Sequence, residues 1–468
     1  MEGLEVSILP LSEVSEENSK IRIDSGYFTK AALTAEALVE ALPNDPLGDL
    51  SDTFRKGIFD IKADTYVEPG EGVPFIRITD IKTGMIQKHS TAWIDHAAHS
   101  SEAKTALKFG DLVLSKTAYP AAAIVNVPDC NVSQDTIAVR LSTDGKRQYR
   151  TGYIAAYLNS AQGLALMARR FQGNVQQHLS LEDGKSIRIP RLSTPFQDRV
   201  HELVLRVDRQ QVAVTNAMLA AEDALLAAFG LANWTPPEPL AYTARAADVF
   251  ASGRFDARFF APRIQALLDL LAVDGRTIAD VANPRREKFR PDACAAFDYI
   301  EISDIDGAGA ATSTRLASED APSRATWHVR AGDIITSTVR PIRRLSAQIT
   351  PEQAGFVCSS GFVVVTPRDI APEVLLTYLR LPVICELLDL FASASMYPAI
   401  TDADIFNLPL PHIPDAVADQ VTQNVIAAKA AKARAASLLE AAKRAVEIAI
   451  EDGEPAAMVY LDQAEGAI

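Results

Sequence analysis

Arg22-Ile23-Asp24-Ser25-Gly26-Tyr27-Phe28 is written a second time, diverged, as Arg254-Phe255-Asp256-Ala257-Arg258-Phe259-Phe260. One such match is weak, but those that follow keep its order. Ile78-Thr79-Asp80-Ile81 corresponds to Ile302-Ser303-Asp304-Ile305, and Gly110-Asp111-Leu112-Val113 to Gly332-Asp333-Ile334-Ile335. Val132-Ser133 before an apolar strand corresponds to Cys358-Ser359 before Phe362-Val363-Val364-Val365. Tyr157-Leu158 corresponds to Tyr378-Leu379, and Ile187-Arg188-Ile189-Pro190 to Leu408-Pro409-Leu410-Pro411. The offset stays at roughly 220 to 232 residues. Six matches in one order mean two copies of one module, and a repeat fixes the architecture before any single element is assigned.

Each copy ends in a long helix. Thr194-Pro195-Phe196-Gln197 reads as a start signal, with Thr194 as N-cap, Pro195 at the first helical position and Gln197 where a capping box needs it. Gly230 closes the segment as a C-cap. Between them Val200, Leu203, Val207, Val214, Met218, Ala221, Leu225 and Ala228 keep close to a 3.5-residue stripe. The second helix runs from about Asp415 to Asp452, before Gly453. Its stripe is Val417, Val421, Val425, Ala428, Ala435, Leu438, Ala442, Val446 and Ala449. Alanine dominates that seam, so a partner helix can approach closely. At 1.5 Å per residue each helix is on the order of 50 Å long.

The intervening segments read as short strands, at 73–78, 111–115, 136–141 and 362–366, broken by Gly, Pro, Asp and Asn. Shorter helices are predicted at 152–170 and 373–391. Asn233-Trp234-Thr235-Pro236-Pro237-Glu238-Pro239 is a proline-stiffened linker. The predicted division is a first globular part at 1–193, a helix at 194–230, a linker at 231–246, a second globular part at 247–413, a helix at 414–452 and an acidic tail at 453–468.

The 468 residues carry a formal net charge of -14, with 48% hydrophobic and 23% charged side chains, values of a globular protein. The opening Met1-Glu2-Gly3-Leu4-Glu5 has no basic n-region, so it is not read as a signal peptide. No apolar run is long enough for a membrane span, and a cytoplasmic location is expected. Cys130, Cys294, Cys358 and Cys385 form no CxxC pair and are expected to be reduced. His89, His96 and His99 lie close together without cysteine or acidic partners at zinc spacing, so no metal is expected. The acidic charge lowers the expectation of nucleic-acid binding without removing it, because binding needs only a local basic face.

No catalytic residue is expected. An amino-methyltransferase needs an Asn/Asp-Pro-Pro-aromatic element, and Asn283-Pro284-Arg285-Arg286 lacks the second proline and the aromatic. No GxGxxG follows a strand and no GxxxxGK[ST] occurs, so no cofactor is expected in this chain.

The order of these motifs carries a family resemblance. Arg-x-Asp near the start is followed by Phe75-Ile76-Arg77-Ile78-Thr79-Asp80-Ile81, Gly110-Asp111-Leu112-Val113-Leu114-Ser115-Lys116, Val132-Ser133-Gln134-Asp135 and Tyr157-Leu158-Asn159-Ser160. Gly173-Asn174-Val175-Gln176-Gln177-His178-Leu179, Ile187-Arg188-Ile189-Pro190 and Gln197 before a long helix complete the series. This resembles the specificity subunit of type I restriction–modification systems, over nearly the whole chain. The second half departs from the pattern: Ser360-Gly361 stands where Gln134-Asp135 would be, and Ser395-Met396-Tyr397-Pro398 replaces the Gly-x-Val-Gln element. The resemblance implies an α+β fold of two β-rich target-recognition domains, each followed by a long helix, the two helices pairing as an antiparallel coiled coil. It implies a non-catalytic subunit that reads a bipartite site on double-stranded DNA in defence against foreign DNA such as phage. Two methyltransferase subunits would bind around it, and translocase–nuclease subunits join in complexes that restrict. S-adenosylmethionine is expected in those methyltransferases, not here. The pairing positions are then Val200, Leu203, Val207, Val214, Met218, Leu225, Val417, Val421, Val425, Leu438 and Val446.

DNA contacts are sought at Arg and Lys near loops, because arginine grips phosphate or reads guanine edges. In the second half these are Arg340, Arg343 and Arg344 after the Gly332-Asp333 strand, and the cluster Arg285, Arg286, Lys288 and Arg290. In the first half Lys116 and Tyr119 occupy the place matching the Arg340 loop, and Lys146, Arg147 and Arg150 form a basic turn. The competing reading of the same residues is an acidic helical protein-binding scaffold without DNA sequence readout, which the net charge favours.

Overall fold

Leu112–Ser115 and its counterpart Ile334–Ser337 are buried along their whole length. Alternation sends Leu112 and Leu114 into one core and Val113 into another, because successive strand side chains point to opposite faces. Ile334 and Ile335 divide in the same way. A four-stranded antiparallel sheet forms around each. In the first copy the order is Ser51–Lys56, Thr136–Leu141, Leu112–Ser115, Ala122–Ile124. In the second it is Ala282–Pro284, Phe362–Pro367, Ile334–Ser337, Ser346–Gln348. Each copy adds a second four-stranded sheet with one parallel pair, Val73–Ile76 with Asp129–Val132 and Ala296–Ile300 with Val357–Ser359. The computed structural model describes residues 6–15, 22, 24–59, 61–81, 84–86, 91–173, 177–236, 238–392 and 399–467.

The structure explains why the repeated motifs are repeated. Arg22 and Arg254 each donate Nε to a carboxylate two residues on, Asp24 and Asp256, at 2.8 Å. Each also lies over an aromatic ring, Tyr27 at 4.8 Å and Phe259 at 4.7 Å. The hydroxyls of Tyr157 and Tyr378, both buried, donate to the carbonyls of Arg188 and Pro409, in the segments leading to the long helices. Gly110 and Gly332 enter their strands at φ of 86° and 85°, where a side chain is disfavoured.

The chain divides into a unit of residues 1–211 with 432–468 and a unit of residues 212–431. The long helices are Thr194–Ala228 and Asp415–Glu451. The first unit takes the early half of the first helix and the late half of the second. There Val200, Leu203, Val204 and Val207 share a core with Ala435, Leu438, Ala442, Val446 and Ala449, and Arg434 Nε lies 3.3 Å from Gln210 Oε1. The second unit takes the opposite halves, and Met218, Ala221 and Leu225 share a core with Val421, Val425 and Ala428. The pairing is therefore antiparallel. Val214 and Val417 are half-buried at the edge of that core. In both units the same core includes residues of the globular part, such as Tyr153 and Leu376, so each helix half is covered by its partner helix and by a globular part.

Four local expectations are corrected. The first helix is capped by Ser193, whose Oγ accepts from Phe196 N at 3.4 Å, and not by Thr194, which is already helical. Gln197 forms no capping box: its amide accepts from Arg150 N and donates to the Gln148 and Leu192 carbonyls. The helix expected over 152–170 is two, Thr151–Leu158 and Ala161–Arg170, because Ser160 caps the second. The helix expected over 373–391 is also two, Pro372–Arg380 and Pro382–Phe391, because Pro382 has no N–H to continue the ladder. The first long helix ends as expected at Gly230, φ 74°. Leu231 N bonds Leu226 O and Gly230 N bonds Ala227 O, a Schellman pattern. The segment after Gly453 carries a helix, Glu454–Ala467, tied to the first unit by Ser193–Glu454 and Arg199–Glu465. Among the described residues no helix is long and apolar enough to cross a membrane.

Candidate nucleic-acid interface

The turn that leaves each central strand is held in one backbone frame. In the first unit Lys116 N donates to Asp135 O at 2.8 Å, and Lys116 O accepts from Leu179 N at 2.7 Å. Thr117 bridges His178, and Ala118 follows at φ 62°. In the second unit Thr338 N donates to Gly361 O at 2.8 Å, and Thr338 O accepts from Ile400 N at 2.9 Å. Val339 bridges Ala399, and Arg340 follows at φ 50°. Ala118 and Arg340 are the same position of the repeat, each beyond Gly-Asp by the same spacing. A side chain is strained at such φ and persists only where its surroundings fix it. Asn174-Val175-Gln176 and Ser395-Met396-Tyr397-Pro398, like His89, lie outside the described residues.

Identical frames carry different chemistry. On the second turn Arg340 and Arg343 are exposed, and neither makes an ion pair among the described residues. Ile342 between them is 54% exposed. Arg344 turns inward, donating Nε to Arg380 O at 2.6 Å and pairing with Glu222 of the first long helix. On the first turn Lys116 is half-buried; burial, then the charge of nearby Lys56, holds its ammonium pKa below the usual lysine range, with Asp135 opposing. Tyr119 donates its hydroxyl to Ile78 O at 2.8 Å and packs on the core, and burial raises its pKa.

The other basic groups separate. Arg285 donates Nε to buried Asp333 at 2.6 Å, and Arg286 pairs with Asp402 at 2.8 Å. Lys288 stays exposed, its backbone bridged to Trp327, and Arg290 is exposed nearby. Lys146 and Arg147 lie exposed on the short helix Thr143–Gln148, where Arg147 pairs with Asp144 at 3.2 Å. Arg150 instead pairs with Asp198 at the start of the first long helix. Of the candidate cations of the second unit, Arg340, Arg343, Lys288 and Arg290 thus stand without an ion pair among the described residues. His96 and His99 line an open cleft with Trp93, and no cluster with three metal-ligating side chains occurs among the described residues.

No family model matches the chain, and no curated protein matches it. Solved structures do. The HsdS subunit from Thermoanaerobacter tengcongensis is similar over 88% of this chain and 97% of its own, at 15% identity and a TM-score of 0.26. The type I restriction–modification S subunit from M. genitalium is similar over 90% and 95%, at 11% identity and a TM-score of 0.38. A chain from a structure of the type I R-M system is similar over 90% and 98%, at 17% identity and a TM-score of 0.24. At such scores the likeness fixes nothing about chemistry, which has to come from the chain's own residues.

Lys56 and Phe59 were not among the candidates. Register places Lys56 opposite Ile137 and Ser115 opposite Thr136, so Lys56 and Lys116 straddle the Gln134-Asp135 turn. Lys56 Nζ lies 4.6 Å from the ring centroid of Phe59, which is 69% exposed. A readable signal was present in Lys56-Gly57-Ile58-Phe59. A Cβ on Gly57 would lie 2.2 Å from the Ser133 carbonyl oxygen, so glycine brings the strand end hard against that turn and leaves a basic and an aromatic side chain beside it.

Proposed function

We propose that the chain is a DNA sequence-specificity subunit without catalytic chemistry, which reads a bipartite site on double-stranded DNA and directs partner methyltransferases to it. The observation that carries this reading is the duplicated turn. Two units repeat one strained backbone frame, at Ala118 and at Arg340, and clothe it differently: two free arginines in one, Lys116 and Lys56 in the other. Modules that share a scaffold but differ at an exposed basic turn suit the reading of two unlike half-sites, since a single module reaches few base edges. Arg340, Arg343, Lys288, Lys116 and Lys56 are the proposed contacts. The antiparallel helices are the proposed spacer, whose length sets the separation of the half-sites. Two copies in one chain give a pseudo-twofold frame, which suits two identical methyltransferase subunits; S-adenosylmethionine would be theirs. Translocase–nuclease subunits would join the same complex where it restricts foreign DNA in the cytoplasm.

The test is to purify the chain with its methyltransferase and map methylated adenines on genomic DNA. The expected result is modification confined to a split motif with a fixed gap. Scattered modification sharing no split motif overturns the reading. An acidic scaffold would instead show no DNA binding in the complex, or binding insensitive to salt, because phosphate contacts make affinity fall steeply with salt.

A further inference from the structure

The first unit holds an open cleft of about 470 Å³ beside the strand Ser51–Lys56. Arg55, Lys56, Lys104 and Lys185 line it, against Asp52 and Glu102. All six are exposed, and none of the four cations makes an ion pair among the described residues. The cleft is thus a local positive site on a chain of net charge -14. Other arginines of the first unit are neutralised: Arg140 by Asp111, Arg150 by Asp198, Arg169 by Glu36 and Arg191 by Asp45.

The repeat shows that these charges are not an unavoidable product of the fold. Arg55 lies opposite Ala138, and its counterpart Arg285 donates its backbone N–H to Val364, the counterpart of Ala138. In the second unit Arg285 is spent on Asp333. In the first unit the equivalent aspartate, Asp111, is satisfied by Arg140 from the neighbouring strand, which leaves Arg55 to face the cleft. The counterpart of Lys56, Arg286, is likewise paired with Asp402. The stem of Lys185 is seated against Gly48, where an added Cβ would lie 2.7 Å from the Lys185 Cβ. Lys56 belongs both to the cleft and to the rim of the Gln134-Asp135 turn, so cleft and turn form one continuous basic track.

We propose that this cleft grips the phosphodiester backbone of duplex DNA, giving the first unit a sequence-independent anchor at a place where the second unit's equivalent cations, Arg285 and Arg286, are ion-paired. The inference rests on the DNA-reading function above and adds to it an unequal division of labour between the two readers. Arg55, Lys104 and Lys185 carry no base selectivity; they hold the duplex while the turn reads it.

The test compares the full-length chain with the triple variant Arg55→Gln, Lys104→Gln, Lys185→Gln, in complex with the methyltransferase, on target and random duplexes over a range of salt. Affinity should fall by the same factor for both duplexes. The slope of log affinity against log salt should become shallower by about 0.9 for each phosphate no longer neutralised. A second variant, Asp52→Asn with Glu102→Gln, should tighten binding to both duplexes, a gain that misfolding does not produce. Unchanged affinity and slope in the triple variant, or a loss confined to the target duplex, overturns the cleft assignment and leaves the reading of two half-sites standing. A wild-type complex that binds no duplex removes that reading, and the cleft's role with it.

Discussion

Arg344, which closes the exposed turn of the second unit, is ion-paired with Glu222 of the first long helix. Burial raises the Glu222 pKa while Arg344 opposes it, and Arg380 completes the knot by donating to the Arg344, Ser346 and Gly307 carbonyls. The turn that carries Arg340 and Arg343 is thereby fastened to the helix proposed as the spacer. Glu222→Ala should lower the stability of this unit by about 2 kcal/mol. That is less than a fully buried pair because Arg344 remains about a third exposed. Denaturant titration in a Trp93→Phe background, followed by the fluorescence of Trp234 and Trp327, reads this unit, and an unmoved midpoint would show that the pair contributes nothing.

Ala118 and Arg340 separate fold from function. Ala118→Gly should raise stability by about 0.5 kcal/mol, relief of left-handed strain being partly offset by the freer unfolded chain. Arg340→Gly should likewise leave stability unchanged or higher, while DNA affinity falls on the order of tenfold if Arg340 is the contact proposed above. Calorimetry and a binding titration on the same two variants check both. Loss of stability in either glycine variant contradicts the strained geometry.

His201 gives the first unit a pH response. Its Nδ1 accepts the N–H of Gly152 at 3.0 Å, which only the neutral ring can do. Burial, then the charge of Arg150, lowers its pKa from the ordinary 6.5. The unfolded chain therefore binds the proton first. The stabilising contribution is present above pH 6.5 and is lost as pH falls through the lowered folded value. His201→Asn, which keeps an acceptor but does not titrate, should flatten the profile of melting temperature between neutral and mildly acidic pH. Identical profiles for wild type and variant would exclude His201 as the source.

Ala442 is fully buried in the alanine seam, and Ala436 on the same helix is exposed. Ala442→Leu should cost about 1–3 kcal/mol by overpacking the close approach of the helices. Ala436→Leu should change stability by no more than about 0.5 kcal/mol. Equal melting temperatures for the two variants would mean that the seam is not tightly packed.

The sequence alone determined the duplication, the two long helices, most of their buried stripes and the Gly230 stop, because order of motifs, helical period and glycine at positive φ are local properties of the chain; Ala228, expected on the first stripe, is exposed. It also located the two turns after Gly110-Asp111 and Gly332-Asp333. Only the tertiary structure decided which cations are free. Arg285 and Arg344 look as available in the sequence as Arg340 and Arg343. Yet Asp333 lies 48 residues from Arg285 and Glu222 lies 122 residues from Arg344, so no local pattern announces either pair. The same holds for the cleft beside Lys56, whose four cations meet because the turn at 104 and the helix Leu181–Lys185 fold beside the end of the strand Ser51–Lys56. Charge acts through space, whereas periodicity acts along the chain.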